Sequence, residues 1–540
     1  MDYFRSYSPS ANDGIVAAWD AQVASVSQIP SLRSLLRERR SELFPEFAKR
    51  YSHIRSMPRS ARRALQRRLA HSRELANISA EWRRRLAYSI AGAALLLALE
   101  KTPAMAATIN VGGGCTLVNA IISANTDTAY GGCTAGSGAD IIVLRKGPQN
   151  LTGVNNSVYG PTGLPVIATD ITIEGHGAVI ARGKGSPQFR LLAVGDLGTL
   201  TLNNATLIGG STTGSGGAVY NYYGNLYIHG CTITGNAARA GGAIYSYEGL
   251  TSIYSSTISR NSATGPGGAL GQYYGKTYVH DTTITGNSAA GRGGATYKYG
   301  GLIKISDGSV ISKNSSGSNG GGTHQQYGNS YIEDSTVTGN IAAGRGGGIF
   351  SYEGLLVVDG STVSKNSTGS DGGGIAVEYT KTYIDHSTIT GNKAADDGGG
   401  VWGYENSILD ILQSTVSKNS AGGDGGGVWI YRGGTYVAGS IVTGNKAAGS
   451  GGGIYKYRGM LTIDQATITM APSVISKNSA GQNGGGLENY QSDVYLAHTT
   501  ITGNKAGTRG GGVDNVSPFI FTSTATITGN KAPTGPNVNP

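Results

Sequence analysis

Three sets of side chains in this sequence are spaced so that they could do chemistry. Glu353, Glu378 and Glu405 recur at intervals of 25 and 27 residues, and Arg432 and Arg458 follow at 27 and 26. If such intervals bring them side by side, the carboxylates could supply the acid and base for cleaving a polysaccharide, with arginine steadying charge. Asp371, Asp397 and Asp424 form a second series. Carboxylates stacked roughly 5 Å apart repel, so they titrate, bind a cation such as Ca²⁺, or stay in water. Their turn-like surroundings favour water. The third series is aromatic: Tyr222, Tyr247, Tyr273, Tyr299, Tyr352, Tyr404, Tyr431, Tyr457 and Tyr490, accompanied by Trp402 and Trp429. Rings with polar edges suit contact with sugar rings or another flat ligand.

Only a repeat could place these residues, and the sequence contains one. Gly-Gly followed by Ala or Gly recurs twelve times, with the third residue at 218, 243, 269, 295, 322, 348, 374, 400, 427, 453, 486 and 512. The intervals are 25 to 27 residues except for one of 33, where Thr467–Ser473 reads as an inserted loop. An asparagine keeps the same period: Asn236, Asn261, Asn287, Asn314, Asn340, Asn366, Asn392, Asn419, Asn445, Asn478, Asn504 and Asn530. Two unrelated residue types sharing a period over some 300 residues mean a solenoid. Each unit holds three short strand-like pieces and no helical periodicity, and alternation turns Ile244, Ile253 and Ile258 to one side. The predicted fold is all-β: a right-handed parallel β-helix of about 26 residues per coil, each coil one turn of the chain. Stacked asparagines then bond one another and the backbone, a structural role.

In this frame the residues two and four places after the glycine marker point outward together, giving an aromatic stripe. It is either a shield for a β face or a platform for sugars. The units also alternate. Thr-Gly-Asn and Ser-Arg/Lys-Asn take turns, so the deeper period is about 52 residues. Duplication of a two-coil unit explains this, and a polymer with a matching repeat is the sharper reading. Thr-Ile-Thr pieces such as Thr232–Thr234 set paired hydroxyls outward, which raises ice binding as a minor alternative.

Charge separates the chain into two parts. Residues 1–106 carry 18 basic and 9 acidic residues, leaving 25 against 24 in the rest. A near-neutral body removes the electrostatic basis for nucleic-acid binding. Arg83–Arg85, the apolar run from Leu86 to Leu99 and Ala104-Met105-Ala106 have the order of a secretory signal cleaved before Ala107. An uncleaved anchor is the alternative, and Arg83-Arg84 has a weak twin-arginine character. Residues 1–82 form a basic extension, either part of a long signal or the result of a start upstream of Met57. Cys115 and Cys133 can form a disulfide after export, while Cys231 lacks an evident partner.

The segments Cys115–Asn125, Gly136–Leu144 and Leu164–Glu174 resemble the N-terminal region of bacterial exported β-helix proteins of the CSLREA type. The Gly-Gly-Ala-Ile and Ile-Thr-Gly-Asn repeats are similar to those of chlamydial polymorphic outer-membrane proteins, with Ile or Val in place of Phe. The resemblance implies an amphipathic capping helix near residues 116–125 and an adhesin-like role. Those proteins end in a membrane barrel, whereas residues 531–540 read as a short tail, so release or attachment through a partner is expected.

The sequence therefore predicts a cap with irregular coils over 107–215 and twelve regular coils over 216–530. The expected activity is surface or extracellular contact with glycan or matrix components, without a cofactor. A carbohydrate-active enzyme on the same fold is the alternative. The expected partners are the export machinery and, at the open ends of the rod, a second copy of the chain.

Overall fold

The computed structural model describes residues 106–539 except 406, 466–470 and 517–519, with scattered positions between 18 and 100. Two compact units result, Met1–Ala106 and Ala107–Pro540. In the first, the helix Ile90–Glu100 takes up the apolar run from Ile90 onward and ends one residue beyond it. No helix among the described residues is long and apolar enough to cross a membrane. Arg83–Arg85, Met105 and the insertion residues 467–470 lie outside the described set.

The second unit is a parallel β-solenoid of about 14 turns, about 26 residues each. Among the described residues the strand pairings between coils are parallel. In the repeats they keep register, as in Ile244↔Leu270, Ile253↔Val279 and Ile258↔Ile284, whereas the early pair Asp170–Arg182 with Thr199–Ile208 shifts register between Glu174 and Ala178. One coil reads Ile244–Tyr247, Leu250–Tyr254 and Thr257–Ser259, the three predicted pieces. A fourth of only two residues, Ser262–Ala263, belongs to a separate eleven-stranded sheet. Two residues are too few to show a period, so pattern alone could not find it. Ile244, Ile253 and Ile258 are all buried in a core that runs the length of the rod.

At the N-terminal end the helix Leu117–Thr126 covers that core with Leu117, Ala120, Ile121 and Ala124. The Thr116 hydroxyl caps it by accepting from the Asn119 N–H. A disulfide joins Cys115 to Cys133, with Cα atoms 4.7 Å apart.

Inside the rod, the asparagines form a continuous ladder. The Asn366 Oδ1 accepts from both N and Nδ2 of Asn340 at 2.9 Å, while its own Nδ2 donates to Asn392 Oδ1 and to the Val337 carbonyl. The same bonds repeat from Asn236 to Asn530. At the far end residues 531–539 continue the winding, parallel to the coil before them, and Asn537 Oδ1 receives the two bonds from Asn530. The tail thus covers part of the last coil, pairing Val538 with Val513. The glycine triplet is fitted closely to this ladder. A Cβ on Gly374 would lie 2.6 Å from the Gly400 carbonyl oxygen and 3.0 Å from Asn392 Nδ2.

A second ladder, of hydroxyls, follows the second strand. Backbone N–H groups of Ser335, Ser361, Ser387 and Ser414 donate to the hydroxyls of Ser361, Ser387, Ser414 and Ser440 one coil on. Cys231 occupies the rung before Ser256, whose hydroxyl accepts from the Cys231 N–H. Its thiol is buried and pushed up to about 11 by burial. The unpaired cysteine is therefore a rung in this ladder.

The interior also contains polar side chains that the predicted aliphatic core left out. Three residues after the marker stand Asn221, Gln272, Lys298, Gln325 and Lys456, all buried. They donate to carbonyls at the corner after the first strand: Gln272 to Gly275 and Leu302, Lys298 to Tyr327 and Asn329, each Lys298 bond 2.9 Å. The corner residues adopt positive φ and turn these carbonyls toward the interior, where a long inward donor adds a bond to them, as Gln272 does at Gly275, whose carbonyl also accepts from the Leu302 N–H.

Two expectations follow. Asn366→Ala leaves the Asn340 N–H without its acceptor in a dry interior and takes one of the two donors from Asn392 Oδ1. It should cost about 3 kcal/mol, read as a lower urea midpoint at unchanged m-value. Burial pushes the Lys298 amine down to about 7 from 10.5. Between those values the unfolded chain holds a proton that the folded one releases, so this group makes stability rise with pH across that window. Lys298→Met should flatten the rise by up to about 1.4 kcal/mol per pH unit, measured by urea unfolding from pH 7 to 10. An unchanged slope would contradict the assignment.

Candidate functional site

The first strand of each coil lays down the aromatic flank. Its residues alternate between core and exterior, so positions two and four after the marker form outward files. In the file four residues after, Tyr222, Tyr247, Tyr273 and Tyr299 stack with centroids 5.1–5.4 Å apart and ring planes within 22°. Tyr404, Tyr431, Tyr457 and Tyr490 form a second stack at 5.0–5.2 Å. Between the stacks come Gln326, Tyr352 and Glu378. These tyrosines are half-buried.

The outward stripe requires a correction. Parallel stacking at about one coil spacing turns ring faces toward one another and leaves ring edges for solvent. The file two residues after the marker is deeper still. Phe350 and Trp402 are each only 3 % exposed, so neither offers a free face. The Arg345 guanidinium lies 4.7 Å above Trp402, reaching across the coil where Ala376 leaves a gap in the file. Trp402 stacks in turn on Trp429 at 5.6 Å. Burial holds His324 down at about 3, so it stacks as a neutral ring between Tyr297 and Phe350.

The glutamates require a second correction, because the structure does not bring them together. Glu378 stands in the tyrosine file, paired with Tyr352 and Tyr404, and meets Arg345 at 2.5 Å. Glu353 and Glu405 occupy corners after the first strand, with Tyr379 at the same corner of the coil between. Glu405 is bonded to Arg432 at 3.2 Å. Intervals of 25 and 27 residues against markers 26 apart put Glu378 one residue out of phase, which sends the side chains to different files.

The aspartates do align, yet they are not free in water. Asp371 Oδ1 accepts from the Asp397 N–H, Asp397 Oδ1 from the Asp424 N–H at 2.7 Å, and Asp424 Oδ1 from the Ser450 N–H. Asp371 also holds Arg345 at 3.0 Å. Burial, opposed by the Asp424 N–H and reinforced by neighbouring carboxylates, raises Asp397 to about 6. Their work is to cap turn backbone from coil to coil. A grouping that the sequence reading missed is Asp359, Asp385 and His386, whose ligand atoms all lie within 4.8 Å of one another at the second corner. Two carboxylates and an imidazole could hold a divalent cation, and here His386 Nδ1 sits 3.0 Å from Asp385 Oδ1.

The third strands explain the alternation of units. Hydroxyls pair Thr285 with Ser312, Thr338 with Ser364, Thr390 with Ser417 and Thr443 with Ser476, each at 3.0 Å. These hydroxyls bond each other across the two coils of a unit. The next residue has positive φ and alternates between Gly339 or Gly391 and Lys365 or Lys418.

At the C-terminal end of the aromatic flank, Glu488 and Asp514 follow Tyr455 in the inner file. Both are buried. Asp514 accepts from Arg509 at 2.9 Å and from Asn539 at 2.7 Å, and burial foremost pushes Glu488 up to about 9.

Comparison with known proteins agrees with this architecture. A family described as right-handed beta helix region matches residues 272–447. No curated protein matches the chain, and no solved structure does. The chain is a right-handed parallel β-helix repeat protein.

Proposed function

We propose that this β-helix is an exported scaffold that works at the cell surface or outside the cell, where its aromatic flank contacts glycans or matrix. The observation that carries the reading is the continuity of that flank. Aromatic rings with hydroxyl edges recur in register on one side of the rod, interleaved with Arg345, Glu378, Glu405 and Arg432. Such a surface offers apolar area and hydrogen-bonding edges over many coils, the requirement for holding a long polar polymer weakly at many points. Export is supported by the charged, apolar and small-residue order of 83–106 and by the Cys115–Cys133 disulfide, which persists in oxidising compartments. The separation of Glu353, Glu378 and Glu405 gives the enzymatic alternative less support.

The test is retention on a glycan array, with cell fractionation alongside. Tyr352→Ala combined with Tyr404→Ala and Tyr431→Ala should lower retention at least tenfold. Full retention by that variant would exclude the tyrosine file, and turnover of pectin-like or chitin-like polymers would restore the enzyme reading. The exported chain should begin at Ala107. Unprocessed protein confined to the cytoplasm would contradict the proposed location.

A further inference from the structure

The tyrosine stacks use their own faces, which raises the question of where a flat ligand could find one. The corner immediately after the first strand supplies it. Tyr223, Tyr274, Tyr327 and Tyr379 occupy that corner on every second coil, with φ of 58°, 52°, 62° and 50°. A bulky side chain is unusual in this conformation, and Gly300 shows that the same corner accepts glycine. Nothing in the strand pairing demands tyrosine there.

Each of these rings stands nearly perpendicular to the stack beside it. Tyr223 meets Tyr222 at 89° and 4.6 Å and Tyr247 at 68° and 5.5 Å. Tyr274 meets Tyr273 at 85° and Tyr299 at 81°, while Tyr327 meets Tyr299 and Tyr352 at 80° each. Tyr379 meets Tyr352 at 75°. Tyr223 and Tyr274, each nearly perpendicular to two successive rings of the first stack and in edge-to-face range of both, lie beside that stack, while Tyr327 and Tyr379 stand against Tyr352 between the stacks. A ring so placed keeps part of its surface open to solvent. Tyr223, Tyr274 and Tyr379 are 40 %, 45 % and 45 % exposed, and Tyr327 is half-buried. Glu248 and Glu353 fill the corners after Tyr223 and Tyr327, and Gly300 the one after Tyr274.

We infer that these four corner tyrosines are the glycan-contact row, and that its occupant is a neutral, extended β-1,4-linked hexopyranose chain lying parallel to the rod axis. The inference rests on the glycan reading above and names its ligand class. The argument is one of matched periods. Two coils advance about 9.6 Å. In an extended β-1,4 chain one ring advances roughly one coil, and successive rings turn over, so the same face recurs at every second ring. A row with one aromatic face per two coils therefore meets the same sugar face each time. The carboxylates between the tyrosines can accept sugar hydroxyls and disfavour a polyanion.

Titration of the full chain with cellohexaose, chitohexaose and a hexamer of galacturonic acid tests this. The wild type should bind a neutral β-1,4 hexamer, more tightly than the tetramer, and the uronate weakly. Tyr274→Gly with Tyr327→Gly and Tyr379→Gly removes the rings while easing the corner backbone, and should weaken binding at least tenfold. The matching Tyr→Phe set keeps the faces and should retain most of the affinity. Unaltered binding by the glycine set, or preference for the uronate, overturns the corner row while leaving glycan contact in place. A wild type that binds no glycan of any class removes both readings.

Discussion

Every coil of this protein completes the hydrogen bonding of its neighbours, and the asparagine ladder shows how strict that requirement is. A buried amide has two donors and one strong acceptor, and each of the ladder's oxygens serves two N–H groups from one adjacent coil. Satisfaction is reached only when coils lie in register, since a slip of one residue would bury an amide with nothing opposite. The core is thin, three aliphatic files with glycine on the tight side, so register is held by polar ladders as much as by apolar packing. The rod is quasi-one-dimensional, and each coil depends on the two beside it.

Much of this was legible in the sequence because the solenoid translates period directly into proximity. The glycine and asparagine markers fixed the coil, its approximate length and which positions stack. Phase was harder to read than period. Glu353 and Glu378 keep nearly the right interval but stand one residue apart relative to the marker, and that step moves a side chain from corner to strand. The serine ladder was visible as a Ser, Thr or Cys before each third strand, although β-propensity made such residues unremarkable there. Lys298 and Lys456 ran against the rule that charge stays outside, and only the corner carbonyls explain them. Ring orientation has no signature in spacing at all, since the same tyrosine file serves a platform or a stack.

The aromatic flank thus has two layers with different work. The stacked files bury most of their own faces and stiffen the side of the rod, and Arg345 fills the gap that Ala376 leaves in them. The corner tyrosines stand outside this layer and carry the strained backbone. The positive φ there belongs to the corner itself, since Glu248, Glu353, Glu405, Arg432 and Arg458 share it.

The pairing of Thr with Ser on the third strands has an evolutionary reading as well. Because a bond joins Thr390 to Ser417, the molecule is built from couples rather than from identical links. Excising a single coil would break a couple and set like against like, as Thr502 stands against Thr528 at the end of the rod, while losing or copying a couple would keep the alternation. The rod can therefore lengthen or shorten between generations in steps of about 9.6 Å with neither end redesigned, so its reach is a trait open to selection on its own.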